Sequence, residues 1–226
     1  MKLAIGSAFR NASGNVTAYM RRIRALRSLL GNDVWIRLIA GEGDSVDNTR
    51  SELAIQANAS CLPIHFVECS HGGRVFGSTE EPDRLAALST VLNAIVTGVE
   101  EEDDLFLYVE QDLLWEPQAL RDLIVRHYEA DVLAPLVMAG ECFYDVWGFR
   151  LNGDRFSPFF PFHRRLDHVS GRVLEVDSIG SCALMSGRVA REIRVQNGNA
   201  FVGWCEAAKA AGYRIGVVPN IIVRQA

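Results

Sequence analysis

The chain lacks the features that mark several protein classes. Only two of its 23 basic residues are lysines, Lys2 and Lys209, and its net charge of −5 argues against a general nucleic-acid binder. Its five cysteines are odd in number and include no CxxC pair, which argues against a disulfide framework and against a zinc site. No apolar run reaches the roughly 18 residues of a membrane span, and the first apolar run is too short for a signal peptide. These absences predict a cytoplasmic protein with reduced thiols and no membrane span.

Apolar residues are abundant, at 49% of the chain, and the length of 226 residues suits one large α/β domain. Strand-like and helix-like segments alternate over residues 1–137, which is typical of a mostly parallel sheet with helices on both faces. The strands are predicted at 3–8, 34–40, 64–68, 105–109 and 131–137. Residues 138–226 are less regular. They contain an aromatic and basic segment at 151–173, a strand-like segment at 173–185, two short helices, and apolar segments at 214–218 and 221–223.

Two of the predicted loops follow strands and carry small or acidic residues. In GSAFRN, the small residues let a ligand approach the backbone and the arginine can reach a phosphate. In GEGDSVDNTR, a carboxylate at the end of the strand can bind a ribose or a base edge, although such a loop is often only a solvated turn. The residues that these loops offer are Gly6, Ser7, Arg10, Glu42, Asp44 and Asp47.

The segment DLFLYVEQDLLWEP joins a buried strand directly to two acids, Glu110 and Asp112. Because side chains alternate along a strand, both carboxylates lie on one edge of the sheet, beside the other two loops. Nearby anions repel unless a cation lies between them, and Mg²⁺ or Mn²⁺ is held by one or two carboxylates together with substrate phosphates. The pair therefore predicts a metal site that neutralises a leaving diphosphate. The alternative is a solvated strand end.

These segments, taken in order, resemble glycosyltransferases of the GT-A fold, which use nucleotide-sugar donors. YVEQDLLWEPQALRDLI is similar to their DXD strand, turn and helix, DSVDNTR to the loop after their second strand, and RLAALSTVLNAIVTG to the helix before the DXD strand. This resemblance covers nearly the whole chain. Over residues 105–223, FYDVWGFR, VDSIGSCALM and AGYRIGVVPNIIV also resemble fungal mannosyltransferases of the mannan-polymerase type and their capsule-related relatives.

The resemblance implies a single GT-A-like, Rossmann-like α/β domain, with a nucleotide-sugar-binding half at 1–137 and an acceptor half at 138–226. It implies transfer of a hexose from a UDP- or GDP-linked sugar to an acceptor hydroxyl, with Glu110 and Asp112 as metal ligands. The candidate donor-binding residues are Gly6, Ser7, Arg10, Glu42, Asp44, Arg84, Glu110, Gln111, Trp147 and Arg224. The candidate catalytic residues are Asp112, Asp145, Asp177 and Glu206.

The chain departs from the family pattern at three points. The first acid of the DXD-like motif is Glu110, and Arg224 and Gln225 stand where similar proteins carry a histidine after the last strand. Arg224 would neutralise a diphosphate directly, which makes a metal-free mechanism an alternative to Mn²⁺ or Mg²⁺. The last helix has only Glu206 where many inverting relatives have an acid pair, and the mannosyltransferase likeness favours retention.

Other functions remain alternatives to a transferase. A sugar-nucleotide pyrophosphorylase or related nucleotidyltransferase shares a nucleotide crevice with paired acids, but GSAFRNASGN is a poor version of its basic glycine-rich loop. A further alternative is a catalytically degenerate protein that only binds a nucleotide-sugar or a glycan, which would explain why the chain departs from the family pattern. Segment 151–173 has three interpretations: a site for a glycan, phosphorylated or nucleic-acid acceptor; a lid; or a loop with at least half of its phenylalanines packed on the core.

Overall fold

The computed structural model describes residues 1–78, 80–168 and 170–225. The helices are α1 (Ser13–Leu30), α2 (Thr49–Ser60), α3 (Pro82–Thr97), α4 (Pro117–Val125), α5 (Gly187–Glu192) and α6 (Ala200–Ala210). The strands are β1 (Lys2–Phe9), β2 (Trp35–Glu42), β3 (Ile64–Glu68), β4 (Leu105–Val109), β5 (Leu113–Leu114), β6 (Val132–Ala139), β7 (Cys142–Phe143), β8 (Arg150–Leu151), β9 (Asp154–Arg155), β10 (Leu174–Glu175), β11 (Cys182–Ser186) and β12 (Ile215–Gln225).

The central sheet has the strand order β10-β12-β6-β11-β4-β1-β2-β3. Strands β1, β2, β3 and β4 run parallel to one another, and β6 runs parallel to β12. Strand β11 lies antiparallel between β4 and β6, and the short strands β5 and β10 pair antiparallel with β12. These pairings confirm the predicted α/β class with a mostly parallel sheet. Because β1 to β4 are parallel, their C-terminal ends lie at one edge of the sheet.

Helices cover both faces of this sheet because the strands are apolar on both sides. In β4, Phe106 and Tyr108 pack with α3 and α6, whereas Leu105, Leu107 and Val109 pack with the layer that contains α1, α2 and α4. All five residues of β4 are buried. The apolar run before the two acids is therefore a central strand, and the acids begin where it leaves the sheet.

The C-terminal strand β12 also ends beside the two acids that follow β4. β12 runs beside β6 with an irregularity between Val218 and Ile222, and its last residues pair with β5, where Arg224 faces Leu114 and Gln225 faces Leu113. Because β5 directly follows the acid pair, the end of β12 closes one side of the site.

The aromatic segment divides into two halves. Phe156 and Phe162 are buried against Phe143 and Phe149, whereas Phe159 and Phe160 are exposed. The interpretation that half of these rings anchor the loop to the core is confirmed. Across the described part of the chain, no helix is both long enough and apolar enough to cross a membrane.

Candidate active site

A cleft of about 260 Å³ opens at the shared edge of β1 to β4. Its lining comes from the ends of four parallel strands and from one face of α3, as expected for a ligand site in an open α/β sheet. In α3, Arg84, Ala87, Leu88 and Val91 line the cleft at helical spacing. The other lining residues are Ala8, Phe9, Arg10, Gly41, Gly43, Cys69, His71, Phe76, Glu110, Gln111 and Asp112.

The wall formed by the loop between β3 and α3 is held in place by side chains from other loops. Asp44 accepts hydrogen bonds from Ser70 Oγ, from the His71 amide at 2.6 Å and from the Gly73 amide at 3.1 Å. These bonds, led by that of Ser70, lower the pKa of Asp44 well below its usual range. Arg10 Nη1 donates to the Arg74 carbonyl at 2.7 Å. Asp44 therefore shapes the cleft through this loop and does not itself line it.

The acid pair brings two carboxyl groups together in the lining of the cleft. Burial raises the pKa of Glu110 to about 8, the charges of Asp112 and Asp145 add to the rise, and Arg84 opposes it. In the absence of a cation, Glu110 therefore carries a proton at neutral pH. Asp112 accepts a hydrogen bond from Gln225 Nε2 at 3.1 Å.

This electrostatic arrangement fits a divalent cation. Among the described residues there is no group of three or more His, Cys, Asp or Glu side chains placed to hold a metal. Two carboxylates are nevertheless what Mg²⁺ or Mn²⁺ uses when phosphate oxygens complete its shell. A cation there would displace the proton of Glu110 and relieve the repulsion between Glu110 and Asp112.

A second cleft of about 170 Å³ adjoins the first and shares Arg84, Leu88 and Glu110 with it. Asp145 and Trp147 line this second cleft together with Tyr144. The other lining residues are Glu80, Leu85, Val146, Gly148, Gly180, Ser181 and Phe201.

Asp145 is fixed by Ser181. Ser181 donates its amide to Asp145 Oδ2 at 3.0 Å and its hydroxyl to the same oxygen at 2.9 Å. Burial raises the pKa of Asp145 to about 6, although the bonds from Ser181 lower it and Asp112 raises it further. A Cβ atom at Gly180 would overlap the carboxylate of Asp145, so the absence of a side chain there makes room for the acid. The result is a held carboxylate at the mouth of a second cleft.

Several residues singled out from the first two loops lie in the interior. Gly6 is inside β1, where a side chain would collide with Phe106 and Ile95, and Ser7 is fully buried. Glu42 is 4% exposed, and its carboxylate pairs with Arg50 at 3.2 Å. These three residues support the strands beneath the cleft and do not line it.

Three residues singled out from the second half of the chain also lie outside both clefts. Asp177 pairs with Lys209 at 2.5 Å, and Glu206 is an exposed acid that accepts a bond from Asn197. Arg224 is exposed and donates to the Gly140 carbonyl at 3.3 Å. Alternation along β12 thus brings its neighbour Gln225 to the acid pair instead of Arg224.

The structure also brings in residues that sequence reasoning missed, namely His71, Phe76, Tyr144 and Ser181. His71 and Phe76 are stacked, with ring centroids 6.3 Å apart. The available signal is the glycine-rich stretch SHGGRVFG that follows β3. Like the two other loops, it follows a parallel strand at the ligand edge of the sheet.

Solved structures with the same architecture include complexes with nucleotide sugars. A fragment of TarS from S. aureus matches with a TM-score of 0.56 and 11% identity, over 100% of this chain and 60% of that chain. The mannosyltransferase PcManGT from Pyrobaculum calidifontis, in complex with GDP-Man and Mn²⁺, matches with a TM-score of 0.56 and 12% identity, over 99% of this chain and 56% of that chain. The chain has the GT-A fold.

A further GT-A match is glucosyl-3-phosphoglycerate synthase from Mycobacterium tuberculosis, in complex with Mn²⁺, UDP and glucosyl-3-phosphoglycerate. Its TM-score is 0.53 at 13% identity, over 100% of this chain and 72% of that chain. The chain spans less than two thirds of the TarS fragment and of the mannosyltransferase. No family model matches the sequence, and no curated protein matches it. At this level of identity the likeness extends to the GT-A fold, and the fungal mannan-polymerase resemblance stays a prediction.

Proposed function

We propose that this GT-A chain is a glycosyltransferase that moves a hexose from a nucleotide-diphosphate sugar to an acceptor hydroxyl. The observation that carries the proposal is the position of Glu110, on the wall between two adjoining clefts. One cleft contains the acid pair and two arginines, which suits a nucleoside diphosphate. The other contains a held carboxylate and aromatic side chains, which suits a sugar acceptor.

In this proposal, the first half of the chain binds the donor. Arg10 and Arg84 both line the first cleft and would bind phosphate oxygens. Glu110 and Asp112 would hold Mn²⁺ or Mg²⁺, which supplies charge stabilisation to the departing diphosphate when it is bound. Gln225 orients Asp112 through its bond of 3.1 Å.

The second half of the chain provides the acceptor site. Asp145 would take the proton of the attacking hydroxyl as that hydroxyl approaches the donor sugar across the shared wall. Ser181 holds both the orientation and the anionic form of Asp145. Trp147 and Tyr144 offer ring surfaces against which a sugar can pack.

The donor sugar is proposed to be mannose, in line with the mannosyltransferase resemblance of residues 105–223. The GDP-Man and Mn²⁺ in the PcManGT complex support GDP-mannose as the first donor to test. Complexes of the other neighbours contain UDP or UDP-GlcNAc, so UDP-sugars belong in the same panel.

The test is hydrolysis and transfer with GDP- and UDP-sugars, with Mn²⁺, with Mg²⁺ and with a chelator. We expect release of nucleoside diphosphate from one donor, and loss of this activity by at least ~100-fold in Asp112→Ala, since electrostatic stabilisation of the leaving group is a large term. Asp122→Asn, on the surface of α4, is the control and should retain full activity.

Other outcomes would replace the proposal. Pyrophosphate release from a nucleoside triphosphate and a sugar 1-phosphate would identify a nucleotidyltransferase. Donor binding by calorimetry with no turnover on any acceptor or on water would identify a binding protein. Unchanged activity in Asp112→Ala would remove the acid pair from the mechanism.

A further inference from the structure

Two neighbouring phenylalanine rings face the solvent beside the second cleft. Phe159 is 68% exposed and Phe160 is 75% exposed. Within residues 1–78, 80–168 and 170–225, no other two consecutive positions both carry an exposed large hydrophobic side chain. Since apolar surface of this size is favourably removed from water, the pair indicates a contact surface.

The turn that carries the two rings has a well-defined backbone. The Ser157 amide donates to the Phe162 carbonyl at 2.7 Å, and the Phe162 amide donates to the Phe159 carbonyl at 2.9 Å. On either side, Phe156 and Phe162 are buried in the core. The inward rings therefore fix the turn, and the outward rings are presented by it.

Basic side chains follow the rings. Arg164 and Arg165 are both exposed, and no ion pair in the described part of the chain engages either of them. Together with burial, their charges lower the pKa of the nearby His163. Two exposed positive charges that make no ion pair within the described residues thus follow the rings, in a chain whose net charge is −5.

The turn and the strand β9 that precedes it are each attached to the second cleft. The Phe143 amide donates to the Pro158 carbonyl at 2.9 Å, and the next residue in the chain, Tyr144, lines that cleft. Arg155 donates to both carboxylate oxygens of Glu80, at 3.0 and 3.2 Å, and Glu80 also lines the cleft. A partner that sits on the rings is therefore next to the acceptor side of the molecule.

We propose that residues 157–165 form a peripheral docking surface for an anionic lipid bilayer. Phe159 and Phe160 would enter the headgroup region, and Arg164 and Arg165 would bind lipid phosphates, which is the combination that holds proteins at a bilayer surface without spanning it. Charge complementarity favours this partner, because two exposed arginines that make no ion pair within the described residues follow the aromatic pair. Docking would turn the second cleft toward the bilayer, so that its acceptor is carried by a lipid; this last step rests on the proposed function.

Sedimentation of the full chain with vesicles tests the proposal. The vesicles are phosphatidylcholine alone, and phosphatidylcholine with about one third phosphatidylglycerol. We expect binding to the anionic vesicles that weakens at high salt. Phe159→Ser/Phe160→Ser and Arg164→Gln/Arg165→Gln should each lower the partition coefficient by about ten-fold or more, since each removes one of the two contributions to binding.

The controls lie on the opposite face of the sheet. Leu29→Ser/Ile55→Ser removes exposed apolar side chains from α1 and α2, and Arg21→Gln/Arg27→Gln removes exposed charges from α1. Both should leave vesicle binding unchanged. Equal losses in the controls would make the effect one of overall charge or hydrophobicity and would overturn the proposal.

Two further results would overturn it. One is no vesicle binding by the wild type. The other is a dimer in sedimentation velocity that Phe159→Ser/Phe160→Ser dissociates, because the rings would then belong to a contact between copies. Hydrolysis of a free nucleotide-sugar is measured on the same variants and should be unaffected. The proposed lipid-binding surface can thus be disproved while the proposed transferase activity is confirmed, and the opposite result is equally possible.

Discussion

Asp145 combines a restrained geometry with a raised pKa. Both of the Ser181 donors reach its carboxylate, and burial places its pKa at about 6. A base with this pKa is mostly deprotonated at neutral pH and still accepts a proton from an acceptor hydroxyl as the bond to the sugar forms. Ser181 thereby acts as a positioning residue.

This predicts a pH dependence of transfer that reports on Asp145. Only the carboxylate form takes a proton, so kcat/KM should fall about ten-fold per pH unit below pH 6 and level off above it. Asp145→Asn should lose ~100- to 10,000-fold of the transfer rate. A pH-rate profile of the wild type and of Ser181→Ala checks the assignment, because loss of the Ser181 bonds should move the acidic limb to higher pH. An acidic limb that persists in Asp145→Asn would point to another base.

Glu110 provides a second prediction at the residue scale, for stability in the absence of metal. Its pKa is about 8 in the folded chain, against an ordinary value of 4.5. The folded state therefore retains a proton that the unfolded state has released, so the contribution of Glu110 to stability falls as pH rises from about 4.5 to about 8. Glu110→Gln should raise the melting temperature at pH 9 by about 2–4 °C and change it little at pH 4.

Thermal unfolding with a chelator measures this effect, and Glu101→Gln, an exposed glutamate, is its control. Mn²⁺ should stabilise the wild type at pH 9 and not the Glu110→Gln variant. If Glu110→Gln melts below the wild type at pH 9, burial and the neighbouring charges do not destabilise the ionised form of Glu110.

At the scale of elements, the loop between β3 and α3 owes its shape to Asp44. Asp44→Ala removes three hydrogen bonds from that loop, which contributes His71 and Phe76 to the donor cleft. We expect the donor KM to rise by about ten-fold, or ~1.4 kcal/mol, with a smaller change in kcat. Asp47→Ala is the matched control, because Asp47 bonds to Ser13 and Thr49 and not to this loop. Equal KM values for the wild type and Asp44→Ala would show that this loop does not contribute to donor binding.

Elements whose structure depends on local pattern could be predicted from the sequence. β3 and β4 begin and end at the predicted residues, because both are short strand-like segments bounded by polar residues or turns. The strand-like segment 173–185 is instead two strands, β10 on β12 and β11 between β4 and β6. The break around Gly180 makes room for Asp145, a contact between distant residues that no local pattern reveals.

The residues of the candidate site also include some whose place could be predicted from the sequence and some whose place could not. The acid pair could be predicted because a buried strand leads straight into two charges. The roles of Gly6 and Ser7 could not, since small residues at a strand end suit both a ligand and a close packing neighbour. Gln225 at Asp112 depends on the pairing of β12 with β5, which joins residues more than 100 positions apart.

At the scale of the whole molecule, the arrangement of the two clefts predicts the stereochemistry of the reaction. In the proposed mechanism, Asp145 would serve as a base in the cleft next to the donor, which suits direct displacement by the acceptor. The anomeric configuration should therefore invert, in contrast to the retention that the mannosyltransferase likeness favours. Proton NMR of the product formed from an α-linked donor reads this directly, with a β-linked product expected. An α-linked product would remove Asp145 from the role of base.

Arg84, Leu88 and Glu110 form a common partition between the two clefts. A ligand on one side of a thin partition changes the shape and charge that a ligand on the other side meets. Under the proposed function, a nucleotide-sugar and its cation would replace the proton of Glu110, and the acceptor would then face a different surface from the one in the empty protein. We therefore expect the two substrates to bind in a compulsory order, donor before acceptor.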